Sequence, residues 1–223
     1  MKLKDFGFII FISALFIPFF VWEGIYLFYL SFNGEHPYIA SFIKFAILAT
    51  SGELAGSRIT TGNYFIKGFG IAPRAIVWGF LGISIKIAFV LFQTGSPEVL
   101  RIAGYVPEGL AGRVAVAFTI STLLNLFFAP VLMTFHRLTD AHIMNSQGSM
   151  RAFITLPDFG SLLKKIDWDM HWGFVLKKSI PLFWIPMQTI NFLLPVDFQI
   201  LVAAILGMVL GIILAYAARL KHA

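Results

Sequence analysis

The sequence predicts an all-α, polytopic membrane protein: a transmembrane bundle of six helices in a single domain, residues 1–223, with both termini cytoplasmic. Three observations predict it. First, 58% of the 223 residues are hydrophobic and 13% are charged, with a mean hydropathy of +0.84. Soluble domains run at about 45–50% apolar and about 25% charged, and a soluble fold of this size could not hide so much apolar surface. Second, the apolar residues gather into six stretches, most of them near the roughly 20 residues that cross a hydrocarbon core of about 30 Å. Third, lysine and arginine are shared unequally between the connections. A soluble enzyme, a nucleic-acid module and a disordered chain are excluded on these grounds. The net charge of +6 then reflects cations kept on the cytoplasmic side, and no nucleic-acid partner is expected.

Each stretch follows from its own residues. Phe6 to Phe32 is longer than one crossing needs, so it should tilt or bend, with Pro18 as the bending point. The second stretch runs from Tyr38 to Leu54, the third from Ala75 to Gln93 and the fourth from Val114 to Phe135. The fifth, Ser179 to Leu194, carries Pro181 and Pro186. The sixth runs from Phe198 to Ala218, and Pro195, Val196 and Asp197 join these last two in a tight hairpin, spanning or re-entrant. With the N-terminus inside, thirteen of the 17 lysines and arginines fall in inner connections. Only Arg101 and Arg113 fall outside, and Lys44 and Lys86 lie within helices. The longest polar segment, residues 136–178, is then a cytoplasmic loop. Within it Ser161 to Trp172 reads as an amphipathic, interfacial piece, with Trp168 and Trp172 among lysines.

Charged side chains inside a span cost about 2.5–3.5 kcal/mol even on the mildest scales, so they ask for a reason. Glu23, Lys44 and Lys86 are such residues. Counted along their helices at about 1.5 Å per residue, they fall with Gln188 at similar depths in the outer half. Gln188 and Asn191 share a face. These five form a polar layer that would line a water-filled vestibule. One cation left over after Glu23 pairs with the other would favour anions. The bland alternative is snorkelling lysines and one buried pair. Asn125 reads as a hydrogen-bonding contact between helices, and Pro186 as a kink that frees the Leu182 carbonyl. Gly79 with Gly82, and Gly207 with Gly211, read as helix-packing pairs, within the bundle or at a homo-oligomer face.

Other chemistry is absent from the pattern. There is no cysteine, no phosphate-binding loop and no serine-nucleophile elbow. His136, Asp140 and His142, and likewise Asp167, Asp169 and His171, lack the spacing of a metal site. No metal, cofactor or enzymatic activity is expected.

From Trp184 the chain reads W-I-P-M-Q-T-I-N-F-L-L-P, ending at Pro195. This segment, with Trp184, Pro186, Gln188, Asn191, Phe192 and Pro195, resembles the C-terminal signature of the family named for the 22-kDa peroxisomal membrane protein and the mitochondrial Mpv-17 protein. His36-Pro37 followed by Gly52-Glu53, then Arg74 with Gly79 and Gly82, are similar to its earlier segments. The resemblance covers residues 37–218 and makes 6–32 an extra N-terminal helix. It implies a small α-helical membrane protein, in a family some of whose members act as weakly selective channels for small solutes. Glu53, Arg74 and Asn125 would be structural positions. The start Met1-Lys2-Leu3-Lys4 leads straight into a helix without a transit peptide, which favours a bacterial inner membrane over an organelle membrane. The expected function is a passive channel for small hydrophilic solutes, with membrane lipids and those solutes as partners. The alternative is a scaffold that binds lipid or a protein.

Overall fold

A computed structural model describes residues 3–221. Met1 and Lys2, part of the basic N-terminal set, lie outside the described residues, as do His222 and Ala223. All regular elements among the described residues are helical. The chain divides into two compact units, Met1–Ala40 and Ser41–Ala223.

In the first unit the long N-terminal stretch is two helices, α1 (Leu3–Val21) and α2 (Glu23–Glu35). The break falls at Trp22, whose backbone is extended (φ −121°, ψ 107°), and not at Pro18. Pro18 stays inside α1, and its carbonyl still accepts from the Trp22 N–H at 3.0 Å. Glu23 therefore opens α2, where a carboxylate favours the positive end of the helix dipole. Phe19 meets Tyr29 edge to face, with centroids 5.4 Å apart. No residue of α1 or α2 is buried among those described, so the apolar side chains of this unit are presented outward.

The second unit holds most of α3 (Pro37–Thr61), then α4 (Ile71–Ile102), α5 (Gly109–Leu123) and α6 (Ala129–Asn145). A widened π turn, Leu124–Phe128, joins α5 to α6 into one continuous helix. Three short helices follow: α7 (Met150–Phe153), α8 (Phe159–Lys164) and α9 (Trp168–Met170). A second π stretch, His171–Trp184, runs directly into α10 (Ile185–Phe192), and α11 (Val196–Lys221) closes the chain.

Both π stretches end two residues before a proline. Ala129, preceding Pro130, donates to the Leu124 carbonyl, and Ile185, preceding Pro186, donates to Ile180. Each bond reaches back five residues instead of four. Proline has no N–H and crowds the residue before it, and the hydrogen-bond ladder slips by one residue there. The helix thus runs on without a break from His171 through Pro186 to Phe192.

Among the described residues, five helices are long and apolar enough to cross a membrane: Leu3–Val21, Pro37–Thr61, Ile71–Ile102, Gly109–Asn145 and Val196–Tyr216. The predicted stretch Ser179–Leu194 is helical but is divided between the wide helix and α10, and that helix carries Lys177 and Lys178. Residues 136–178 are less loop-like than expected, because α6 continues to Asn145. The amphipathic piece Ser161–Trp172 is not one helix. Asp167 caps a new turn by accepting from the Met170 N–H at 3.0 Å, as Asp158 caps α8 through Ser161. An aspartate that satisfies orphan N–H groups starts a helix and does not continue one. Leu162 of α8 is buried, and α8 packs on α6.

Glycines set the helix spacing. A Cβ on Gly82 would lie 2.6 Å from the Ser41 carbonyl oxygen, and one on Gly79 would lie 2.4 Å from the Phe42 ring, so α3 and α4 touch there. Gly52 brings α3 equally close to Met208 of α11. Gly70 and Gly148, both at positive φ, cross so tightly that a Cβ on Gly148 would lie 2.6 Å from the Gly70 nitrogen.

Candidate functional site

A cavity of about 590 Å³ runs lengthwise through the 41–223 unit, walled by α3, α4, the α5–α6 helix, the wide helix with α10, and α11. Its two ends differ in chemistry.

At the end near the α3 C-terminus, five side chains from three helices converge. Arg74 forms ion pairs with Glu53 and with Asp140. Its Nε donates to the Phe69 carbonyl at 2.6 Å, and its guanidinium lies 4.5 Å from the centroid of the Phe69 ring. Glu53 Oε1 accepts from Trp78 Nε1 at 2.9 Å and meets His136 Nε2 at 3.0 Å. A carboxylate can only accept, so Nε2 carries the proton. The rings of Trp78 and His136 lie 4.2 Å apart. The local sequence explains the convergence: Arg74 and Trp78, and likewise His136 and Asp140, stand four residues apart on one helix face. The Gly70–Gly148 crossing fixes the backbone before Arg74, whose N–H donates to the Gly70 carbonyl. Arg137 and Asp140 also line this end. Two acidic groups face two arginines there, and the fixed charges balance.

The wide helix supplies a polar stripe. His171, Val175, Ser179, Trp184 and Gln188 line the cavity at intervals of four, four, five and four residues. His171 is 1% exposed and Ser179 is 6% exposed. The Thr134 hydroxyl donates to the Pro130 carbonyl at 2.7 Å, so it accepts from His171 Nε2 at 3.0 Å. Burial, and then the charge of Arg137, hold His171 below the ordinary imidazole value. The buried atoms His171 Nδ1, Ser179 Oγ and Trp184 Nε1 have no hydrogen-bond partner among the described residues.

At the opposite end the cavity closes against Phe89, whose ring packs on Phe192 with centroids 4.8 Å apart. Beside them the Asn191 amide donates to Gln188 Oε1 at 2.8 Å and to the Gln199 carbonyl at 2.9 Å. Phe192 also borders a second hollow, of about 700 Å³, lined among others by Gln93, Leu110, Arg113 and Val116. This ring contact thus joins a lining residue of one hollow to a lining residue of the other.

The residues singled out from sequence fall into distinct places. Glu23 opens α2 in the first unit and is exposed. Lys44, Lys86 and Asp197 lie within electrostatic reach of one another, but neither lysine is among the cavity-lining residues. Gln188 lines the cavity, and Asn191 is fully buried behind it. Asn125 lines it from the first π turn and donates to the Ser121 carbonyl at 2.9 Å. Trp184 lines it too, while Pro186 and Pro195 are exposed. Gly79 and Gly82 make the α3–α4 contact. Gly207 and Gly211 instead face the cavity. A Cβ on Gly207 would meet only Trp184, at 4.0 Å, and one on Gly211 would meet nothing within 4 Å. Their small size leaves space and brings no helices together.

Trp78, His136, Asp140, His171 and Ser179 were not singled out for this site. The paired spacing on α4 and α6 was the available signal. No family model, curated protein or solved structure matches the chain.

Proposed function

We propose that the chain is a passive pathway for small hydrophilic solutes. It would make six membrane crossings, with both termini on the cytoplasmic side of a bacterial inner membrane. The observation that carries this reading is the pair of hollows in one helical unit, whose linings meet at the Phe89–Phe192 ring contact. A hydrophobic constriction of this kind closes a pore by excluding water. The lining differs from the polar layer expected from sequence. Glu53, Arg74, His136 and Asp140 flank the inner mouth, while Asn125 and Gln188 mark the deep end. The balanced mouth charges give no support to an anion preference. The resemblance to the Mpv-17 and peroxisomal membrane protein family points towards a solute channel, on the strength of the Trp184–Pro195 segment. A scaffold reading draws on the exposed Trp168 and Trp172, but it leaves the internal space without a use.

The test is solute flux through proteoliposomes. Phe192→Ala is expected to raise the flux by about tenfold, the equivalent of removing a barrier of about 1.4 kcal/mol. If neither wild type nor Phe192→Ala passes any solute, the pathway reading falls.

A further inference from the structure

We infer that the pathway selects small, uncharged, polyhydroxylated molecules, such as short sugar alcohols. This inference rests on the pathway reading and names its substrate class. Three buried polar atoms without partners among the described residues lie along one helix: His171 Nδ1, Ser179 Oγ and Trp184 Nε1. Buried polar atoms are nearly always paired, and these three belong to residues that line a cavity. Their chemistry is complementary to a hydroxyl. With Nε2–H given to Thr134, a neutral His171 offers Nδ1 as an acceptor. Trp184 offers only a donor, and Ser179 offers both. An –OH group, itself donor and acceptor, satisfies each in turn, whereas a pure donor or a pure acceptor fails at one of them.

The stripe is also too long for a single small occupant. The α-helical rise of about 1.5 Å per residue allows at most about 12 Å along the axis from His171 to Ser179, and about 8 Å from there to Trp184. A small molecule therefore meets these groups in succession. Opposite the stripe, the wall of the deep half is Phe45, Ala49, Phe89, Leu124 and Ala203, with Gly207 giving room. The carbon chain of a polyol would lie on that apolar wall while its hydroxyls follow the helix.

Charge is excluded by the same geometry. Every ionisable side chain of the cavity stands in the inner half: Glu53, Arg74, His136, Arg137, Asp140 and His171. Between Ser179 and Phe89 no ionisable side chain among the described residues lines this cavity, and an unpaired charge in an apolar setting is very costly. A neutral solute pays no such cost.

The experiment is stopped-flow light scattering on proteoliposomes carrying the full chain, with glycerol and erythritol against potassium chloride. Wild type is expected to pass both polyols and to exclude the salt. Ser179→Ala and Trp184→Phe should each slow polyol entry about fivefold, the equivalent of one hydrogen bond. Ser179→Ala removes an unpartnered hydroxyl, so thermal stability in detergent should hold or rise, which a purely structural role for that hydroxyl would not give. Salt entry with polyols excluded would overturn the inference and leave the pathway standing. Polyol entry unchanged in both variants would likewise overturn it. Failure of all solutes to enter, in wild type and in Phe192→Ala, would end both.

Discussion

Two groups of charged side chains sit among the helices of the 41–223 unit, and they meet an apolar setting in different ways. Arg74, Glu53, Asp140 and His136 are locked across three helices, with the Arg74 side chain only 8% exposed. Lys44 and Lys86 are half-buried, on long stems that can carry an ammonium towards water. What separates the two is where the side chains face: the locked group lines the cavity, and the lysines do not.

Three substitutions can break or sharpen this contrast. The largest effect is expected from Arg74→Met, which leaves Glu53 and Asp140 facing each other without their cation. Removing one partner of a buried ion pair costs about 3–5 kcal/mol, so thermal unfolding in detergent should shift sharply downward and flux should be lost. An unshifted melting temperature would mean that the cluster is not holding the mouth together. Gly82→Ala should come next. Its Cβ would meet the Ser41 backbone oxygen at 2.6 Å, and overpacking of this kind costs about 1–3 kcal/mol. Denaturation midpoints would register the loss, and a neutral outcome would deny the close α3–α4 contact. The smallest effect belongs to Lys44→Met combined with Lys86→Met. Long lysine stems can carry their charges to water, where charge interactions are worth about 0–1 kcal/mol, and neither residue lines the cavity. Stability and relative solute permeabilities should therefore stay near wild type. A change in ion selectivity would restore these lysines to the conduction path.

The helices were legible because composition and length act locally. Gly82 and the apolar runs announced α3, α4 and α11 without knowledge of their neighbours. The break at Trp22 was not legible, since Pro18 offered the stronger signal and the helix absorbed it. At the candidate site, Gln188, Asn125 and Trp184 were picked out by polarity or by motif. The ionic cluster was missed as a unit. His136 and Asp140 were noticed for their spacing, but Arg74, the partner of Asp140, and Glu53, the partner of His136, stand 66 and 83 positions earlier on other helices. Sequence spacing gives position along one helix, and it says nothing of which faces meet. Glu23, Lys44 and Lys86 were grouped by matching depth, and depth leaves azimuth free.

The wide helix from His171 to Trp184 has a consequence for how this chain could vary. Its wider turns hold surplus residues relative to ordinary α geometry. Deleting a single residue from ordinary α geometry swings everything beyond it by about 100°. A widened turn can instead give up its surplus residue and close to the ordinary ring, so Gln188, Asn191 and Phe192 would keep their neighbours in a chain one residue shorter. This stretch acts as a store of slack for the last third of the bundle, so loss of one residue in it should be felt less strongly than loss of one elsewhere in these helices.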